Sequence, residues 1–243
     1  MTREERTLRQ AIVASCRELN ASGLNQGTSG NISARLGGRL LITPSGVPGD
    51  ELAPEMLAAM PLEGDHGAWE GPLRPSSEWR FHLDLARARP ELGAVVHAHP
   101  PHATALAIAR KPIPPLHYMI AAFGGADIRC AAYATFGTEA LSRAVLAAMQ
   151  GRQGCLMANH GMLAAGPTLA RAMWLAVELE ALARQYVTAL TIGGPVLLSA
   201  AEIAEAERAF AGYGLREPPP ARPAQRPRTR TPKRPPPRPG PRR

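Results

Sequence analysis

Two histidines, His97 and His99, close an apolar run in AVVHAH, and a third, His160, closes another in MANHG. On an extended strand, positions i and i+2 project from one face, so His97 and His99 can reach the same ion. A third imidazole from a neighbouring strand would complete a trigonal set. Three histidines with one open position is the arrangement expected of a catalytic Zn²⁺, and no thiolate is placed to close a structural site. A chance His-x-His at a strand end would explain the pair alone. Four of the seven histidines (His97, His99, His102 and His160) gather near such ends, which tips the balance towards a metal.

Pro75-Ser76-Ser77-Glu78 precedes a helical pattern. Hydroxyls and unpaired N–H groups at a helix start form an anion site, and Ser76 there is expected to cap the helix. Glu78 in the first turn has two readings. It is a carboxylate favoured by the helix dipole, or, if it faces the metal, a ligand or general base. Two further loops, Gly27-Thr28-Ser29-Gly30-Asn31 and Thr43-Pro44-Ser45-Gly46, offer small hydroxyls and N–H groups able to wrap a phosphate or carboxylate. Neither fits a nucleotide-binding glycine pattern. Three such loops beside a metal site suggest a small phosphorylated substrate held next to a Lewis acid.

The elements that must position these groups alternate. Leu8, Ile12, Cys16 and Leu19 predict a helix over 3–20, with Gly23 as its stop. NISARL (31–36) and RLLIT (39–43) read as strands joined at Gly37-Gly38, a two-residue hairpin signal. A helix is expected from Ser76 to Ala88, a strand over 91–99, a helix over 102–110, a strand over 128–133 and a helix over 138–149. GCLMANH and GMLAA form a further strand pair. A long helix follows from Thr168 to about Ile192, whose stripe Leu175, Leu179, Leu182, Tyr186 and Leu190 is widened by Met173 and Val177, predicting cover on more than one side. A last helix spans about 200–211. The fold class is α/β, a mixed, largely antiparallel central sheet flanked by helices on both faces.

The 243 residues suit one large domain, and 45% are hydrophobic, enough for a substantial core. The net charge of +8 is uneven: residues 218–243 hold 9 Lys+Arg, 11 Pro and no acid, leaving 19 basic against 20 acidic residues in 1–217. That partition argues against a duplex-binding face on the body. The division is therefore a catalytic domain over 1–217 and a disordered basic tail over 218–243. The tail contains no aromatic residue for base stacking, which weakens a nucleic-acid role for it. Three widely spaced cysteines give no disulfide framework. The charged N-terminus MTREERTLRQ and the lack of a run of ~20 apolar residues point to a cytoplasmic protein with no membrane partner. Lys111 and Lys233 are the only lysines, which argues against Schiff-base chemistry.

LNQGTSGNIS (24–33), LITPSG (41–46), PSSEWRFH (75–82), AVVHAH (94–99), IPPLHYMIAAFGG (113–125), YATFGT (133–138), NHGMLA (159–164) and YGLR (213–216) occur in that order. Together they resemble the class II aldolase/adducin family, and within it the L-fuculose-phosphate aldolase branch, over essentially residues 1–216. The resemblance implies one zinc per subunit on His97, His99 and His160, with Glu78 as a fourth ligand that swings away when substrate arrives and serves as the base. It implies a phosphate held by Gly30, Asn31, Ser45, Gly46, Ser76 and Ser77. Tyr118 would be the acid reaching the aldehyde oxygen from the neighbouring subunit of a homotetramer, and Phe136 and Tyr213 would line the aldehyde side. The reaction implied is reversible cleavage of a ketose 1-phosphate such as L-fuculose 1-phosphate into dihydroxyacetone phosphate and a small aldehyde such as L-lactaldehyde. Rival readings on the same scaffold are a salvage aldolase or dehydratase for 5-deoxy- or methylthio-pentulose phosphates, and L-ribulose-5-phosphate 4-epimerase. A non-catalytic binding module would require loss of the metal ligands, and all are present. MANHG departs from the pattern by placing Asn159 where a second histidine is expected.

Overall fold

The computed structural model describes residues 1–210; the tail and Tyr213 lie outside the described residues. Helix α1 (Arg3–Ala21) starts where the Thr2 hydroxyl accepts from the Glu5 N–H at 3.2 Å, and it buries Ile12, Val13 and Leu19. The chain then forms β1 (Asn31–Leu36), β2 (Arg39–Ile42), β3 (Ala58–Pro61), α2 (Trp79–Ala88), β4 (Ala94–Ala98) and α3 (Pro101–Ile108). A short 3₁₀ helix (Tyr118–Phe123) leads to β5 (Arg129–Ala131), α4 (Glu139–Ala148), β6 (Gly154–Met157), β7 (Gly161–Gly166), α5 (Leu169–Thr191) and α6 (Ala200–Phe210).

The seven strands make one sheet in the order β3-β2-β1-β4-β7-β6-β5. Every pairing is antiparallel except β5 with β6, which α4 connects as a crossover. Alternation along the strands divides the core into two sides. Ile32, Val96, Leu156 and Met162 pack with apolar residues of α1, α3, α5 and α6. Val95, Leu163 and Cys155 face Phe81 and Leu85 of α2 and Leu141 and Val145 of α4. A smaller cluster joins Leu83 and Ala86 of α2 to Leu40, Ile42, Ala58 and Met60. The mixed sheet between two helical layers is the architecture expected.

The register sets the site. Asn31 on β1 lies opposite His97 on β4, and His97 lies opposite Leu163 on β7. His97 therefore sits inside the sheet, on the α2 side, where Phe81 meets it edge-on at 5.5 Å between ring centroids.

Four local expectations are corrected. Helix α2 begins at Trp79, and Ser76 does not cap it; its Oγ accepts from the Glu78 N–H at 3.2 Å. The Ser76 N–H donates to the Thr43 carbonyl, tying this turn to the neighbouring loop instead of to the helix axis. β3 was not expected, because AAMP lacks alternation and ends in proline; it is an edge strand, where proline is tolerated. The strand expected over 128–133 shortens to Arg129–Ala131. α5 is covered along one broad face, completed by Ala172, Ala176 and Ala183, and Val177 is exposed.

Candidate functional site

β4 and the tight β6–β7 turn bring His97, His99 and His160 together, with one ligand atom from each lying within 4.8 Å of the others. Among the described residues this is the one His/Cys/Asp/Glu group so arranged. His97 Nε2 is 2.9 Å from His99 Nε2 and 3.1 Å from Glu78 Oε2, while His160 Nε2 is 3.1 Å from Glu78 Oε1. Gly161 is needed beside them: a Cβ there would come within 2.5 Å of His99 Cδ2. Gly30 has φ +76, and a Cβ there would meet the His97 carbonyl oxygen at 2.7 Å, so the loop before β1 can lie against β4 only as glycine.

The donor set fits a cation. His97 Nδ1 lies 2.8 Å from the Met162 carbonyl, which can only accept, so Nδ1 carries a proton. In the neutral ring, Nε2 is then a lone pair, and it faces a carboxylate oxygen and a second imidazole nitrogen. Acceptors gathered in this way need a shared positive charge. Ligands about 2.0–2.1 Å from one tetrahedral ion stand roughly 3.3 Å apart, close to the separations found. Glu78 Oε1 is buried and has no hydrogen bond, a further acceptor awaiting a cation. Burial works against ionisation of Glu78, but the His97 and His160 imidazoles beside it outweigh burial and hold its carboxyl well below the usual range. Burial, with His97 and His160 close beside it, pushes His99 down to about 4, which favours the neutral imidazole a metal requires.

His99, His160 and Glu78 form one wall of a cleft of about 390 Å³, with His97 buried behind them. Thr28, Ser29, Gly30 and Asn31 border it, as do Ser45, Gly46, Ser76 and Ser77, so the three small-residue loops converge as expected from their chemistry. The Ser77 N–H donates to Ser45 Oγ at 2.8 Å, locking two of these loops together. Phe136 lines the other side with Tyr133 and Ala134. Tyr118 is not among the lining residues; it is exposed and stacks on His117 and Phe210. His102, counted with the histidine cluster in sequence, belongs elsewhere. Its Nδ1 and N–H and the Ala103 N–H approach the Glu180 carboxylate at 2.7, 3.0 and 2.8 Å, capping α3 from α5.

Asn159 lines the cleft in a left-handed conformation, φ +54, which asparagine tolerates better than most residues. Its Oδ1 accepts from Arg110 Nε at 2.9 Å, and Arg110 is itself left-handed at φ +53. The departure from the family pattern is thus a second-layer polar pair at the cleft wall.

Two contributors were missed in sequence. Tyr133 carried no signal beyond its place in YATFGT. His82 carried one: it follows Glu78 by four residues, roughly one helical turn. It is fully buried, with Nε2 against Asn31 Oδ1 and Nδ1 2.8 Å from Ser33 Oγ. Asn31 Nδ2 in turn donates to Glu78 Oε2 and to Ser76 Oγ, each at 3.0 Å. Burial, reinforced by His97 and opposed by Glu78, pushes His82 down to about 3.

Residues 10–187 match the family model described as Class II Aldolase and Adducin N-terminal domain. A 5-methylthioribulose-1-phosphate/5-deoxyribulose-1-phosphate aldolase of Rhodospirillum rubrum is 50% identical over 217 residues, 89% of this chain and 97% of that protein. An L-fuculose phosphate aldolase of Escherichia coli strain K12 is 46% identical over 214 residues, 88% of this chain and 98% of that one. Among solved structures, an L-fuculose 1-phosphate aldolase superposes with a TM-score of 0.80 at 37% identity, over 84% of this chain and 95% of the other. No described helix is long and apolar enough to cross a membrane.

Proposed function

The chain belongs to the class II aldolase/adducin family and is an aldehyde-lyase, and from that premise we propose that it reversibly cleaves a ketose 1-phosphate into dihydroxyacetone phosphate and a small aldehyde, with zinc as its metal. The observation that carries this reading is a group of three imidazoles gathered against Glu78, at a cleft on which three small-residue loops converge. His97, His99 and His160 would hold the zinc, with Glu78 as a fourth ligand before substrate binds. When bound, the ion supplies Lewis acidity to the substrate's carbonyl and neighbouring hydroxyl oxygens.

The chain's own groups do the rest. Gly30, Asn31, Ser45, Gly46, Ser76 and Ser77 receive the phosphate through N–H groups, hydroxyls and the Asn31 amide. That anchors the substrate's first carbon beside Glu78. The Glu78 carboxylate moves the proton on the carbon that becomes the nucleophile in the synthetic direction. In cleavage, Tyr118 as its phenolate takes up the proton of the C4 hydroxyl, and in synthesis the phenol returns it. On this reading Tyr118, which does not line the cleft of its own chain, acts on the site of a neighbouring subunit in a homotetramer. Phe136 faces the aldehyde; Tyr213, the other residue expected on that side, lies outside the described residues.

Two aldehydes fit. L-Fuculose 1-phosphate, giving L-lactaldehyde, follows the branch-level motifs. A 5-deoxy- or 5-methylthio-pentulose 1-phosphate is favoured by the 50% identical relative and by the aromatic flank Tyr133 and Phe136, suited to an apolar C5 substituent. Incubating the zinc-loaded protein with each sugar phosphate and measuring dihydroxyacetone phosphate release decides between them. Release from one and not the other names the substrate. Release from neither, with zinc bound, refutes the reaction.

A second experiment addresses the shared site. Glu78→Gln and Tyr118→Phe chains, each inactive, are dissociated, mixed and reassembled. Interfaces that pair an intact Glu78 with an intact Tyr118 should recover part of the cleavage rate. Confirmed mixed tetramers with no recovery would mean that each site is built within one chain.

A further inference from the structure

Most of the polar groups in the site point at the cleft, but one buried chain of hydrogen bonds runs away from it. It runs through His82, which does not line the cleft, to Ser33. Its direction is fixed by chemistry. Asn31 Oδ1 can only accept, so His82 Nε2 carries the proton. His82 is neutral in this buried setting, so Nδ1 is a lone pair and the Ser33 hydroxyl donates to it. With its oxygen committed to His82, the Asn31 amide must turn its NH₂ towards the site, where it donates to both Glu78 Oε2 and Ser76 Oγ.

We propose that His82 is a positioning residue: its Nε2–H, set by Ser33, orients the Asn31 amide, which in turn holds the Glu78 carboxylate and the Ser76 hydroxyl in place. An amide differs little in shape when turned over. Without a donor on its oxygen side, Asn31 could present Oδ1 to the Glu78 carboxylate, setting acceptor against acceptor. The His82 ring thus imposes an orientation that packing cannot impose. It depends on the aldolase reading only for what Glu78 and Ser76 do once positioned.

The test uses the full chain and zinc itself as probe. Gln carries its amide nitrogen the same number of bonds from Cα as ring Nε2, whereas Asn places one at the position of Nδ1. His82→Gln can therefore still donate to Asn31, while His82→Asn and His82→Phe cannot. Zinc affinity, measured by competition with a chromophoric chelator, should weaken about 10–100-fold in the Asn and Phe variants, as for other groups behind metal ligands, and stay near the parent value in the Gln variant. Equal loss in folded Gln and Phe variants would reduce His82 to packing and overturn the proposal. Nitrogen-15 NMR of the parent protein, with the His82 signals assigned by their absence from His82→Gln or, if that chain does not fold, by through-space contacts to Phe81, reads the tautomer directly. A proton on Nε2 and a bare Nδ1 are expected; a proton on Nδ1 overturns the proposal whether or not any variant folds. A parent protein that binds zinc but cleaves no sugar phosphate would refute the aldolase reading and leave both readouts of His82 intact.

Discussion

Glu78→Gln is expected to slow carbon–carbon cleavage by at least about 10²-fold, within the 10²–10⁴-fold that a positioned acid–base group contributes. Gln preserves the length of the side chain and can still accept from Asn31, which now donates to Glu78 Oε2 at 3.0 Å. It cannot take up a proton. His97 and His160 hold the carboxyl below the usual carboxylate range despite its burial. Zinc should still occupy the three imidazoles, though less tightly without the carboxylate, and phosphate binding should persist, because the loops that line the cleft are untouched. Single-turnover cleavage and exchange of the dihydroxyacetone phosphate proton with solvent measure the two steps separately. Both should fall together. Near-normal exchange would assign the base to another group.

His97→Ala should remove most of the bound zinc and reduce cleavage to background. His97 is central to the cluster: its Nε2 lies near both His99 and Glu78, and its Nδ1 is braced by the Met162 carbonyl. Neutral, oriented imidazole is what a metal ligand requires, and the bracing fixes both properties. Metal content by elemental analysis gives the first readout. The second is thermal unfolding. A ligand at a thousandfold excess over its dissociation constant stabilises the folded chain by about 4 kcal/mol. The parent should therefore melt higher with zinc than without, and His97→Ala should lose that difference. Chelated parent protein should stay folded, since three apolar clusters that do not include the histidines form the core. Full zinc occupancy in His97→Ala would refute the ligand assignment.

The site was legible in sequence where strand periodicity and chemistry coincide. His97 and His99 stand two apart at a strand end, and small polar residues bracketed by glycine announce loops that approach an anion. Residues whose roles depend on pairing across the sheet were hidden. Ser33 reads as an ordinary strand serine until Ser33 and Asn31 are seen to flank one imidazole. Ser76 reads as a helix cap by local rules, yet contacts with Thr43 and Asn31 override them. β3 escaped because its cohesion comes from β2 and not from its own pattern. Val177 misled for the opposite reason: an apolar residue was counted into a helix face that alanines complete.

The opposition of Asn31 and His97 across β1 and β4 makes strand alignment itself a condition of activity. Side chains alternate between faces, so a one-residue slip of β1 would withdraw Asn31 and Ser33 from His82 and offer Ile32 and Ala34 instead. Both nitrogens of a fully buried ring would then face hydrocarbon, at about 1–3 kcal/mol for each polar group left unpaired. An apolar sheet centre would accept either alignment with little preference. The polar thread through this one therefore favours the native alignment, the same one that assembles the site.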